Sequence, residues 1–249
     1  MIELASTSRA EDSGYHAVKD AADIAAEIGA GYRLIGGHMV TLLVAAHEVA
    51  GVPARETADA DLGADFSVIA DPALPQALRA RGYTQPGASN RFVRDLGDDL
   101  EAIIDILGPS YTSAHKPRQK HGELYVDAIP GLSWALGAAP ERIEFTASLT
   151  RGDTVTTTVT VPAPLPALCL KLHSYRSRAA GKDVRDIWRL LAVCHKAGVT
   201  PDDWENSTAK TAHQILADLT AIDSRPLSYH FPERRQRAQL RALAKAVAG

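Results

Sequence analysis

The sequence predicts an α+β protein, with a mixed β-sheet core flanked by helices and a helical C-terminal part. Three observations carry this. From residue 12 to about residue 82, helical apolar periodicity alternates with short strand-like runs. Two hairpin patterns follow, at 91–107 and 142–161. Beyond Pro162, Pro164 and Pro166, which form a rigid break, only helical periodicity remains. The expected division is therefore 1–165 for the core and 166–249 for the helical part, the two packed together.

Each element has its own signal. In residues 12–29, Val18, Ala21, Ala22, Ala25 and Ile28 form one stripe, with Gly29 as a stop. The apolar run Tyr32, Leu34, Ile35 reads as a strand ending on Gly36-Gly37. Met39, Leu42, Leu43, Ala46, Val49 and Ala50 share a helix face that stops near Gly51-Val52-Pro53. A strand is expected from Asp59 to about Leu62, and a helix from Asp71-Pro72 to Arg81-Gly82. Arg91–Leu96 and Leu100–Leu107 read as a hairpin around Gly97-Asp98-Asp99. The polar segment 113–122 reads as a loop, and Leu124–Ile129 as a strand. Arg142–Leu149 and Thr154–Val161 form a second hairpin; the β-branched run TVTTTVTV favours a strand.

Bulk properties narrow the class. A chain of 249 residues can bury a good core, and 45% hydrophobic with 23% charged residues is ordinary globular composition. The net charge of −3 means that any nucleic-acid binding must come from local patches. Two such patches are His115-Lys116-x-Arg118-x-Lys120-His121 and Arg234-Arg235-x-Arg237…Arg241…Lys245. Cys169 and Cys194 lack zinc-site spacing and read as buried, reduced thiols of a cytoplasmic protein. No signal-peptide pattern and no membrane-length apolar run is present, so no membrane partner is expected.

The chemistry concentrates in two blocks. In a strand, Asp59 and Asp61 point to the same face, and paired carboxylates repel unless solvated or bridged by a cation. Hard oxygen ligands of this kind suit Mg²⁺, which also binds substrate phosphates. A glycine turn opening a helix, here Gly36-Gly37, offers free N–H groups and the positive helix end to a phosphate. By period, Arg55 and Thr57 share the carboxylates' face, where Arg55 offsets the acidic cluster and can also touch phosphate. Asp105 lies among Ile103, Ile104, Ile106 and Leu107, where an unpaired carboxylate would be costly; the competing reading is a solvent-facing strand end. In the second block, Lys171, Tyr175 and Arg178 share a helix face. Asp183 and Asp186 share another, with Lys182 able to pair with Asp186 at i, i+4; Ile187, Leu190, Leu191 and Cys194 form the apolar side.

The Gly-Gly turn, helix and Asp59-x-Asp61, followed by Leu170-Lys171-Leu172-His173…Arg178…Lys182-Asp183-x-x-Asp186, resemble the nucleotidyltransferase superfamily with the polymerase-beta-like fold. Within it, the pattern is similar to the AbiEii-type branch, which contains toxin–antitoxin toxins. The resemblance spans roughly Tyr32 to Leu191. It implies a nucleotidyltransferase-like core at 1–165 and an active-site cleft completed by 166–249. It implies transfer of a nucleotide from an NTP, with release of pyrophosphate, to an acceptor such as the tRNA 3′ end, in a toxin–antitoxin system with a cognate antitoxin as partner. Asp59, Asp61 and Asp105 would hold Mg²⁺ or Mn²⁺, with Lys171 and Asp186 completing the catalytic set. Gly36, Gly37, His38, Arg55, Thr57 and Arg178 would bind the NTP, and Lys116, Arg118 and Lys120 the RNA. His38 stands where relatives often carry Ser or Thr. The other readings are nucleotidyl or phosphoryl transfer to a protein or small molecule, and a degenerate nucleotide-binding or interaction protein.

Overall fold

Nine strands make two sheets in the computed structural model, which describes residues 1–249. In chain order the first half comprises β1 (Ile2–Ala5), α1 (Arg9–Glu27), β2 (Tyr32–Ile35), α2 (Gly36–Ala46), β3 (Asp59–Ala64), α3 (Phe66–Ala70), α4 (Ala73–Ala80), β4 (Arg91–Gly97) and β5 (Leu100–Ser110). It continues with β6 (Lys116–His121), β7 (Leu124–Pro130), α5 (Leu132–Gly137), β8 (Glu141–Ser148) and β9 (Thr154–Val161). The helical part is α6 (Pro164–Arg178), α7 (Gly181–Lys196), α8 (Ser207–Thr220), α9 (Arg225–His230) and α10 (Arg234–Ala248).

The larger sheet has the order β2-β3-β5-β7-β6, with β4 also paired to β5. Strands β3, β5 and β7 run parallel, while β2, β4 and β6 pair antiparallel to their neighbours, so the sheet is mixed. The smaller sheet is β1-β8-β9. Helix α1 starts at Ser8, whose side chain accepts from the Glu11 N–H, and buries Val18, Ala21, Ala22 and Ala25 as its periodicity dictates. The prolines 164 and 166 sit in the first turn of α6, where a missing N–H costs nothing, so the proline run opens a helix as well as ending a strand.

Two features differ from expectation. The polar segment 113–122 contains β6, an edge strand rich in Lys and Arg and carrying Pro117. Such residues are tolerated at a sheet edge and give no apolar alternation to read. Strand β1 is also unannounced; its four residues alternate in burial and pair in parallel with β8. One core of 62 buried side chains runs from Val18, Leu34 and Ile104 through Leu168, Leu190 and Val247, so the helical part shares its core with the sheets.

The second basic run does structural work. Arg237 donates to the carbonyls of Phe231 and Pro232, and Arg241 to those of Thr220, Ala221 and Ile222, closing the end of α8. Cys169 and Cys194 are free and buried, and burial pushes both thiols up, which makes them inert.

Candidate active-site cleft

Sheet register brings the first block together. Asp61 on β3 pairs with Asp105 on β5, and Asp59 with Ile103, so all three carboxylates project from one face. Asp61 is also the β2 partner of Ile35, the residue before the glycine turn. The turn is consequently pressed against the carboxylate. A Cβ on Gly36 would lie 1.7 Å from Asp61 Oδ2, and Gly36 has φ +75°, so only glycine serves there. At Gly37 a Cβ would lie 2.2 Å from Thr57 Oγ1. No side chain caps the start of α2, which leaves its first N–H groups open to a ligand.

These residues floor a cleft of about 370 Å³. Asp59, Asp61 and Asp105 lie on one side; Arg55, Lys171, Arg178 and Lys182 line it as well. Burial, then Asp59 and Asp105, pushes the Asp61 carboxyl up to about 7, against the opposing pull of Lys171 and Arg178. The acidic pair Asp59/Asp61 is thus short of positive charge. That fits a hard divalent cation, which takes one or two carboxylates and completes its shell with water and phosphate. Asp105 already faces a cation: its two oxygens accept from Arg91, at 3.0 Å from Nε and 2.9 Å from Nη2. No group of three or more His, Cys, Asp or Glu side chains is gathered to hold a metal ion.

The cationic side is built on α7. Asp186 is fully buried, and its Oδ2 accepts from Lys171 Nζ at 2.9 Å and Arg55 Nη1 at 2.6 Å. Arg189 Nη1 stands 3.8 Å from its Oδ1. One carboxylate therefore faces three cations, two of which line the cleft, leaving an excess of positive charge there. The i, i+4 pairing of Lys182 with Asp186 does not form. Asp183, also fully buried, holds Arg178 at 2.7 and 2.8 Å instead.

Two expected phosphate residues lie outside the cleft. His38 is buried, its ring 5.2 Å from that of Tyr15 and its Nε2 without a hydrogen-bond partner. It faces the core because the helix turns it away from Gly36-Gly37. Thr57 is buried against Gly37, its hydroxyl likewise unpartnered. Burial, with a further push from Arg55 against the pull of Asp59, lowers the His38 pKa to about 4. Below pH 6.5 the unfolded chain takes up a proton that folded His38 refuses. His38 therefore supports the fold fully above pH 6.5, and that support is lost as pH falls towards 4, at up to roughly 1.4 kcal/mol per pH unit. Urea melts from pH 7 to 4.5 should show the wild type losing more stability than His38→Gln; parallel curves would show that His38 protonates without cost.

Lys116, Arg118 and Lys120 are exposed on β6, outside the cleft, whereas His115 lines it. A bulge between Lys116 and Gln119, with Arg118 at φ +53°, lets the Arg118 N–H reach Asp127 Oδ1 at 3.0 Å. Asp127 Oδ2 holds His115 Nε2 at 3.0 Å. Arg91, Asp127 and the buried His173 are cleft residues that sequence reasoning missed. Arg91 carried no local signal, because a bulge in the 91–107 hairpin is what places it opposite Asp105.

Fold and cleft together define an α+β protein with facing acidic and cationic surfaces joined at a glycine turn. No family model and no curated protein matches the chain. Among solved structures it is similar to an antigenic nucleotidyltransferase-like protein from Paracoccidioides brasiliensis, with 19% identity over 93% of each chain and a TM-score of 0.47. No helix is long and apolar enough to cross a membrane.

Proposed function

We propose that the chain is a metal-dependent nucleotidyltransferase that moves a nucleotide from an NTP to an acceptor, most simply the 3′ end of tRNA, in the manner of an AbiEii-type toxin. The observation that carries this reading is the charge layout of one cleft. Asp61 has no ion-pair partner and its neighbour Asp59 only Arg91 at 3.8 Å, while Lys171 and Arg55 share a single buried partner and have positive charge to spare. A triphosphate carrying a divalent ion complements both.

A Mg²⁺ or Mn²⁺ held by Asp59 and Asp61 would supply Lewis-acid polarisation and charge neutralisation at the phosphates. The protein's own share is positioning and electrostatics. Gly36 and Gly37 let the backbone approach the phosphates, and the uncapped end of α2 offers N–H donors. Lys171 and Arg55, oriented by Asp186, and Arg178, oriented by Asp183, present fixed donors to the negative charge. The acceptor hydroxyl gives up its proton to water and its oxygen forms a bond to the α-phosphorus as the bond to pyrophosphate breaks, and pyrophosphate leaves with the electron pair.

The test is incubation with each labelled NTP, Mg²⁺ and total tRNA. Labelled tRNA supports the whole reading. Label on a protein or small molecule keeps the transferase and removes the tRNA acceptor; no transfer and no NTP binding would end it. Lys171→Met keeps the buried aliphatic stem and removes the charge. It should weaken NTP binding or transfer at least about tenfold, as expected for one charge-assisted phosphate contact. Unchanged kinetics would make Lys171 a purely structural partner of Asp186.

The tRNA acceptor and the β6 cations are tested together. Changing Lys116, Arg118 and Lys120 to Gln should weaken tRNA binding and make it less salt-dependent. The log–log salt slope should fall by roughly 0.7–0.9 for each lost phosphate contact. NTP binding should be unaffected, because these side chains lie outside the cleft. An unchanged slope with intact transfer would take β6 out of the acceptor track.

A further inference from the structure

Three same-face carboxylates suggest two divalent ions, one on Asp59 and Asp61 and a second on Asp105. At Asp105 a guanidinium already stands on the carboxylate. Arg91 Nε donates to Asp105 Oδ1 at 3.0 Å, and Nη2 to Oδ2 at 2.9 Å. This is the two-point geometry that makes guanidinium–carboxylate pairs strong. The same Nη2 lies 3.8 Å from Asp59 Oδ2, so the guanidinium bridges the two outer carboxylates. Asp61 is left as the carboxylate without an ion-pair partner.

The bridge is built into the sheet. Arg91 and Asp105 are direct partners across β4 and β5, which puts their side chains on one face. The residue before Arg91 is tied down too, with the Asn90 carbonyl accepting from the Ile106 N–H at 2.8 Å. Arginine keeps its charge at any physiological pH. Its positive charge at Asp105 is therefore permanent, unlike that of a metal that comes and goes.

We propose that Arg91 is a resident replacement for a second metal. The cleft takes one divalent ion, on Asp59 and Asp61, and the Arg91 guanidinium supplies the positive charge at the Asp105 end. This rests on the metal-dependent reading of the cleft and deepens it. It makes Asp105 a positioning residue for Arg91 and removes it from the metal ligands.

The test counts ions with Mn²⁺ alone as the probe, titrated into the intact chain, with the free ion followed by electron paramagnetic resonance. The wild type should bind one Mn²⁺, Asp61→Asn none, and Asp105→Asn one. Arg91→Gln frees Asp105 and should bind two, the second being lost again in the Arg91→Gln/Asp105→Asn double variant. Thermal melts of each variant confirm folding; should Arg91→Gln fail to fold, the wild-type count and Asp105→Asn decide. Two ions on the wild type, or loss of the single ion in Asp105→Asn, overturn the proposal and leave the transferase reading standing. No Mn²⁺ on the wild type overturns both.

Discussion

Asp61→Asn is expected to abolish nucleotide transfer and, in the presence of a chelator at pH 8, to make the protein more stable. Both effects follow from one position. Asp61 sits between Asp105 on β5 and Ile35 on β2, with the glycine turn packed on its carboxylate. Removing its charge takes away a ligand of the proposed cation. Losing several kcal/mol of charge stabilisation corresponds to at least about a thousandfold in rate.

The stability effect has the opposite sign. The folded Asp61 carboxyl is pushed up to about 7 from 3.8. The folded chain therefore holds this proton more tightly than the unfolded one. Below pH 3.8 the group is neutral in both states and costs nothing. As pH rises towards 7 the unfolded chain ionises first and stability falls, and above pH 7 the full cost is present. The neutral amide removes that cost, so the advantage of Asp61→Asn over wild type in EDTA should be largest at pH 8 and vanish near pH 4. Comparing variant with wild type at each pH cancels the contribution of His38, which runs the other way over part of this range. Wild-type turnover in the variant would end the metal hypothesis. A variant less stable at pH 8 would show that the acidic cluster is balanced without a cation.

Asp186→Ala should destabilise the fold by about 3–5 kcal/mol, the usual cost of stripping the partner from buried charge. Asp186 is fully buried and is the counter-ion to Lys171, Arg55 and Arg189. Without it three cations remain packed between α2, α6 and α7 with nothing to neutralise them. An exposed pair supplies the contrast. Lys19 and Asp23 on α1 are both more than 40% exposed, at 43% and 42%, and Asp23→Ala should cost less than about 1 kcal/mol. Urea denaturation of the two variants checks the ranking. Equal losses would mean that the Asp186 network is solvated and does not hold the cationic side of the cleft together.

Periodicity alone was enough to read part of this site. Asp59 and Asp61 share a face because strand side chains alternate, and Gly36-Gly37 reads as a turn opening a helix because no other residue suits that join. Both statements concern neighbours in sequence. The grouping of Lys171 with Arg178, and of Asp183 with Asp186, is likewise helical spacing.

What no local pattern contains is register and partner choice. Counting outward from the turn of the 91–107 hairpin, where Gly97 pairs with Leu100, would set Phe92 opposite Asp105. A bulge between Asp95 and Gly97 slips the pairing by one residue and brings Arg91 there instead. Since side chains alternate, one residue decides whether a cation or a phenyl ring meets the carboxylate. Helical spacing equally allowed Lys182 to pair with Asp186. Packing of α6 against α7 delivered Lys171 to it, and the segment between α2 and β3 delivered Arg55, because a buried carboxylate takes the cations that tertiary contact brings closest. His38 follows the same logic: its neighbours in sequence put it beside the turn, and the direction of α2 against α1 turned it into the core.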